Sequence, residues 1–159
     1  MFAEAGLLGA YHFVMNPIVP LDRTAAVLNM DMISRDEDLP TWNTQAADNR
    51  NGVNIVGTLY NPGLREIIER QNSAVGLILD YKTDREDRES WLARSDHFPF
   101  VVAGVPMVLF NTGEQPDYHT ENDTIDRLNF EKMTKIVRLI YRSAWEAANQ
   151  EKRIPFVRE

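Results

Sequence analysis

Blocks of apolar residues alternate with polar segments along the chain, and this pattern predicts strands separated by helices. The run over residues 25–33 is apolar nearly throughout, as expected of a strand buried on both faces, and Asp31 is its one carboxylate. Shorter apolar runs predict three further strands, at 53–57, 76–81 and 105–110. The pattern therefore predicts an α/β fold with a mixed, largely parallel sheet flanked by helices, in a single domain over residues 1–159.

Helices are predicted between and after these strands. One covers Ala3 to Met15, and a second opens at Asn61-Pro62 and runs through Asn72. A long C-terminal helix follows an Asn129 cap, and its predicted core face consists of Phe130, Met133, Ile136, Val137, Ile140 and Ala144. The charged run at 82–89 predicts a solvated loop, and the chain after Asn149 is predicted to fray.

Composition narrows the chemistry that such a domain can carry. The chain has no Cys, so a transition metal would have to be held by His, Asp and Glu, the ligand set of hydrolytic zinc. A formal net charge of -7 argues against nucleic acid or an anionic membrane as partner. No apolar run is long enough to span a bilayer, and a signal-peptide pattern is missing from the start of the chain.

Two segments carry the residues that most need explaining. Asp31 interrupts an apolar strand, where an ionised carboxylate is costly unless it is paired or bound to a metal. His119 lies in a polar loop that follows the strand predicted at 105–110, next to Tyr118. Residues 29–35, NMDMISR, resemble the N-(L/M)-D-M-(I/V)-G-R strand of M28 peptidases, and residues 117–124, DYHTENDT, resemble the D-Y-H-T-P-x-D-T loop of the same family.

The resemblance implies a function and roles for these residues. It implies a zinc-dependent aminopeptidase that removes the N-terminal residue of a peptide at a site with two zinc ions. Asp31 would bind one zinc and His119 the other, while the Tyr118 hydroxyl would lie near the scissile carbonyl. Asp123 is interpreted as a hydrogen-bond acceptor that fixes the loop.

Two further segments match the family. Residues 94–100, RSDHFPF, resemble its R-S-D-H-x-P-F segment, so Asp96 and His97 are expected to line the site wall or to support the metal ligands. Residues 4–10, EAGLLGA, resemble its E-E-x-G-L-L-G-S segment. Glu4 then takes the place of a zinc ligand, whereas Ala3 stands where the family has the general base.

The family also draws a zinc-binding His and a bridging Asp from a region before this segment, and the sequence has no counterpart there. The chain is therefore expected to be a truncated, C-terminal part of the peptidase domain, with weak or partial zinc binding. Two alternatives stay open: a non-catalytic fragment that folds and self-associates, and an enzyme like the single-zinc glutaminyl cyclases. The expected partners are a peptide substrate and further copies of the chain, which would associate through an exposed sheet edge or face.

Overall fold

A computed structural model describes residues 5–36, 49–85 and 91–157 of the chain. Their four strands are β1 (Val27–Met30), β2 (Gly52–Val56), β3 (Ile78–Asp80) and β4 (Met107–Asn111). Their α-helices are α1 (Leu8–Met15), α2 (Pro62–Asn72), α3 (Lys82–Arg85), α4 (Phe98–Val102) and α5 (Phe130–Ala148). Short 3-10 helices occupy Leu21–Arg23, Asn49–Asn51, Trp91–Ala93 and Ile125–Arg127.

The strands form one sheet in the order β1, β4, β2, β3. β1 runs parallel to β4 with Val27 opposite Met107, and β2 runs parallel to β3. The central pair, β2 and β4, is antiparallel. The mixed, largely parallel sheet expected from the sequence is therefore confirmed.

Helices cover both faces of this sheet because successive side chains of each strand point to opposite sides. The larger core joins α2 and α5 to one face, and it includes Val53, Ile55, Leu64, Ile68, Val108, Phe110, Ile136 and Leu139. On the other face α1 packs against α4, and a small cluster around Val56, Trp91 and Leu109 lies beside it. No helix in the described ranges is long and apolar enough to cross a membrane.

The first strand differs from its prediction in length and burial. β1 ends at Met30, so Asp31 follows the strand, and the strand positions are partly buried or exposed. The prediction of a strand buried on both faces was wrong because β1 is an outer strand of the sheet formed by the described residues. The first described helix also starts later than expected, at Leu8, because Gly6 and Leu7 adopt left-handed backbone angles.

The C-terminal helix forms as predicted, and the Asn129 side chain accepts a hydrogen bond from the amide of Lys132. Its buried face is centred differently, however, because Phe130 and Val137 are 52% and 45% exposed. The buried face consists of Lys132, Ile136, Leu139, Ile140, Ser143 and Ala147. The sequence pattern therefore predicted the helix correctly and two of its core positions wrongly.

Two further predictions were wrong for a related reason, since polar or terminal segments are held by contacts that the sequence pattern does not display. In the charged run predicted as a solvated loop, residues 82–85 form α3, and Asp84 is buried and accepts hydrogen bonds from the Gly57 amide at 2.6 Å and from Thr58. Residues 86–89 of that run lie outside the described residues. Residues 150–157 of the tail, predicted to fray, pack on the domain, with Ile154 buried in the larger core and Phe156 stacked on Tyr60.

Candidate active site

A cavity of about 200 Å³ lies beyond the carboxyl ends of the parallel strands β1 and β4. The carboxyl ends of strands are where open α/β sheets place their ligand sites. The lining comes from the segments that follow the two strands and from residues 91–95. It comprises Asp31, Met32, Ser34, Arg35, Trp91, Arg94, Ser95, Gly113, Gln115, Tyr118, His119 and Asp123.

The segment after β1 is fastened to the end of β4 by backbone and side-chain hydrogen bonds. The Asp31 amide donates to the Phe110 carbonyl at 3.2 Å, and the Asn111 side chain donates to the Asp31 carbonyl at 2.9 Å. Thr112 donates twice to the Met32 carbonyl, from its amide at 2.9 Å and from its hydroxyl at 2.6 Å. Asp31 therefore has a defined place at the rim of the sheet.

The turn that carries Tyr118 and His119 is held by its own hydrogen bonds. The Tyr118 amide donates to the Gln115 carbonyl at 3.0 Å, and the Thr120 amide donates to the Asp117 carbonyl at 2.9 Å. The rings of Tyr118 and His119 stack with centroids 3.8 Å apart. Both rings therefore belong to one compact turn at the cavity.

Two residues of the lining adopt a backbone conformation that is unusual for residues other than glycine. Met32 has a φ of 55° and His119 a φ of 59°, both in the left-handed region. Such a conformation costs on the order of 1 kcal/mol or more per residue and tends to occur where a site requires it. One of these residues lies on each side of the cavity: Met32 in the segment after β1 and His119 in the turn.

An ion cluster joins these two sides. Arg35, four residues after Asp31, contacts Asp117 at 2.9 Å and also pairs with Asp123. Arg127 binds Asp117 from another direction. Hydrogen bonding to Arg35, and additionally to Arg127, lowers the pKa of Asp117. The two carboxylates that flank the Tyr118 and His119 turn are therefore tied to the segment that carries Asp31.

Residues 91–95 form the remaining wall. The Arg94 guanidinium lies 4.7 Å from the centre of the Trp91 ring and pairs with Glu114 at 2.9 Å. Trp91 is buried in the small cluster on this face of the sheet, so the wall rests on packed side chains. The cavity is thus lined by the Trp91 indole and by charged groups of both signs.

His97 lies behind this wall, fully buried. Its Nδ1 lies 3.1 Å from the Asn29 side-chain amide, and its Nε2 lies 3.1 Å from the Trp91 carbonyl. Because a carbonyl oxygen can only accept a hydrogen bond, the Nε2 of His97 carries a proton. Asn29 also donates to the Ser95 hydroxyl at 2.9 Å, so it joins β1 to the wall at two points.

Asp96 occupies a partly buried position near Asp31. Its Oδ1 is buried and finds no hydrogen-bond partner among the described residues. Burial, together with the negative charge of Asp31, raises the pKa of Asp96.

The residues singled out from the sequence divide into three groups. Asp31, Tyr118 and His119 line the same cavity, whereas Asp96 and His97 lie outside its lining. Glu4 falls outside the described residues. Within the described ranges no three His, Asp or Glu side chains come close enough to hold a metal ion together. Those ranges thus do not complete a zinc site, which takes at least three protein ligands.

Sequence reasoning did not single out Arg35, Arg94, Trp91 or Asn29. Asn29, Arg35 and Arg94 stand inside the motifs that were recognised, so a sequence signal was present at these three positions, whereas Trp91 lies outside both motifs. The partner of Arg35, Asp117, lies 82 residues away along the chain, so this pairing becomes visible only in the folded structure.

Comparison with known proteins identifies the family of this chain. The family model for Peptidase family M28 matches residues 3–144, which is most of the chain. The chain belongs to peptidase family M28. A search of curated proteins gave no match.

Solved structures with the same fold include aminopeptidases. This M28 chain superimposes on the LapA aminopeptidase of Legionella pneumophila with a TM-score of 0.67 at 21% identity, covering 94% of this chain and 38% of LapA. For BSAP, a zinc aminopeptidase from Bacillus subtilis, the TM-score is 0.65 at 20% identity, with 99% and 37% covered. An aminopeptidase from Aneurinibacillus sp. strain AM-1 gives 0.65 at 20%, with 99% and 34% covered. The M28 chain thus spans well under half the length of these proteins.

Proposed function

We propose that this chain forms part of the catalytic domain of a zinc-dependent aminopeptidase, and that the cavity beyond β1 and β4 receives the N-terminal end of a peptide. The observation that carries the proposal is the meeting of two separate motif segments, through Asp31 and His119, in one cavity. Membership in a peptidase family and the shared fold support it.

The residues of the cavity have distinct roles in this proposal. Asp31 and His119 are metal ligands, which fits the preference of zinc for carboxylate oxygen and imidazole nitrogen. The Tyr118 hydroxyl donates a hydrogen bond to the carbonyl oxygen of the scissile bond, where negative charge develops during hydrolysis.

A non-catalytic chain is the second candidate, and one observation favours it. Two proposed ligands line the cavity, but the described residues provide no group of three donors. With two ligands a zinc ion is neither held firmly nor given the geometry that makes bound water acidic. We therefore expect the isolated chain to bind zinc weakly and to hydrolyse aminoacyl-anilides poorly or not at all.

Zinc titration of the purified chain, with hydrolysis of aminoacyl-anilides measured in parallel, tests the proposal. His119→Ala and Asp31→Asn should each weaken zinc binding further, whereas the matched controls His12→Ala and Asp22→Asn should leave it unchanged. Both control side chains are exposed and lie outside the cavity lining. Unchanged zinc affinity in His119→Ala and Asp31→Asn would refute the ligand assignment. Robust turnover by the unmodified chain, abolished by His119→Ala, would refute the incomplete site.

Self-association is a separate part of the proposal. β1 is an outer strand of the described sheet, and Met30 at its end is half exposed. An outer strand presents backbone groups that can pair with another strand. We propose that copies of the chain associate through this edge.

A further inference from the structure

We propose that Arg35 is a positioning residue, which fixes the turn carrying Tyr118 and His119 in place relative to Asp31. The cavity is that of the proposed function, but the contacts that carry this inference do not depend on catalysis. Arg35 belongs to the segment after β1, and both of its carboxylate partners belong to the stretch that contains the turn.

The main chain around Arg35 is anchored on two sides. Toward β1, the Met32 carbonyl accepts the two hydrogen bonds from Thr112. Toward α5, the Asn129 amide donates to the Ser34 carbonyl at 2.7 Å, and the buried Lys132 ammonium lies 3.3 Å from the Arg35 carbonyl. These main-chain contacts fix the position of the Arg35 backbone, from which its side chain extends.

The start of α5 also binds Asp36, the residue that follows Arg35. The Asn129 side chain donates to both carboxylate oxygens of Asp36, at 3.0 and 3.2 Å, and the Lys132 ammonium lies 3.4 Å from one of them. Residues 34–36 are thus held to the first turn of α5 by both main-chain and side-chain contacts. Arg35 is therefore directed toward the cavity by the fold around it.

The guanidinium group then connects this anchored segment to both flanks of the turn. Its Nη2 bonds Asp117, which precedes Tyr118, and its Nη1 bonds Asp123, which closes the loop after His119. The side chains of Arg35 and Asp117 are only 13% and 14% exposed, so water competes little for this contact. A planar fork can hold two carboxylates in one fixed arrangement, whereas a lysine ammonium would act as a flexible point charge.

This arrangement accounts for how an exposed turn keeps an unusual backbone angle. His119 is exposed and adopts a left-handed φ, a conformation that relaxes unless the surroundings enforce it. The internal hydrogen bonds of the turn give it shape, but they do not determine its distance from Asp31. Arg35 adds a side-chain link from the segment after β1 to both flanks of the turn, beyond the bonds that Asn111 and Thr112 make at the end of β4.

Amide hydrogen exchange of the metal-free chain, followed by NMR, tests the inference. Arg35→Gln should speed exchange at the Tyr118 and Thr120 amides about tenfold, which is the scale of losing a hydrogen bond to a charged group. Arg35→Lys should restore only part of the protection, because it keeps the charge and loses the fork. Arg70→Gln, which removes an exposed arginine paired with Glu146, is the matched control and should leave these amides unchanged.

Three outcomes of this experiment overturn the inference. They are unchanged exchange at Tyr118 and Thr120 in Arg35→Gln, full protection in Arg35→Lys, and a uniform rise at amides throughout the domain. A uniform rise would mean that Arg35 stabilises the whole domain without acting on the turn. In a double-mutant cycle, Arg35→Gln and Asp123→Asn should be non-additive, because they remove the same contact.

A second test measures the affinity of the folded chain for zinc ions, which should not change if Arg35 has only a general structural role. Under conditions where both proteins are fully folded, Arg35→Gln should weaken zinc binding about tenfold, since partners that orient ligands commonly contribute 10–100-fold to metal affinity. Equal zinc affinity in the two proteins would contradict positioning of His119. If the unmodified chain binds no zinc, the proposed function fails, whereas the exchange experiment still decides on Arg35.

Discussion

Asn29 connects the first strand to the wall of the cavity. Its side-chain amide reaches both the Ser95 hydroxyl and the buried His97 ring, which is 68 positions away along the chain. With its other nitrogen bonded to the Trp91 carbonyl, His97 has both ring nitrogens occupied by the protein. His97 therefore supports the cavity wall from behind.

Removing the Asn29 amide should destabilise the domain. Asn29→Ala removes the side-chain nitrogen that bonds both the Ser95 hydroxyl and the His97 ring, and losing such contacts costs about 1–3 kcal/mol. Asn16→Ala is the matched control, because its exposed side chain bonds only the carbonyl of His12 among the contacts seen here, and its cost should stay within about 0.5 kcal/mol. Urea unfolding measures both values. Equal stability of the two variants would show that the Asn29 bond contributes nothing.

Asn29 and His97 show how much could be predicted from the sequence at the scale of single residues. The motif at 94–100 led to the expectation that His97 lines the site wall or supports the metal ligands, and in the structure His97 lies outside the cavity lining, bonded to the Trp91 carbonyl. Its orientation depends on Asn29 and on the Trp91 carbonyl, whose positions are set by the fold. The local sequence therefore indicated the segment 94–100 as one to consider, while the orientation of the His97 side chain depends on tertiary contacts.

At the scale of elements, α5 shows why a helix can be predicted more reliably than its buried face. Its Asn129 cap and the helical spacing of its apolar residues are local signals, and both agree with the structure. Apolar residues, however, occupy more than one side of the helix, since Val137, Tyr141 and Trp145 are exposed large side chains. Lys132 is buried because its ammonium reaches the Arg35 carbonyl, a contact that hydrophobic spacing cannot reveal.

Adjacent residues of α5 offer a direct test of the buried face. Ile136 is fully buried in the core between α5 and the sheet, so Ile136→Ala should cost about 2–5 kcal/mol of unfolding free energy. Val137 is about half exposed, and Val137→Ala should change stability by less than about 1 kcal/mol. Urea denaturation of both variants decides the matter. Similar costs at the two positions would favour the face predicted from the sequence.

At the scale of the whole molecule, the class of fold could be predicted and the arrangement of strands could not. Alternating apolar blocks and helices indicated a mixed sheet, which is present. The order β1, β4, β2, β3 brings Val27 next to Met107 and sets β2 antiparallel to β4, and such pairings join distant parts of the chain. The meeting of Asp31 and His119 follows from the parallel pairing of β1 with β4, because both strands then end at the same rim.

The outer strands lead to the last prediction, which concerns association. Met30 in β1 and Ile78 in β3 are 50% and 45% exposed at opposite edges of the described sheet. If copies pair through β1, Met30→Lys should disfavour association, because a lysine on an outer strand opposes strand pairing, whereas Ile78→Lys should leave it intact. Sedimentation velocity at micromolar concentration should show a dimer or larger species for the unmodified chain and for Ile78→Lys, and a monomer of 18.3 kDa for Met30→Lys. A monomeric unmodified chain would refute the association, and an equal effect of both substitutions would refute the choice of β1.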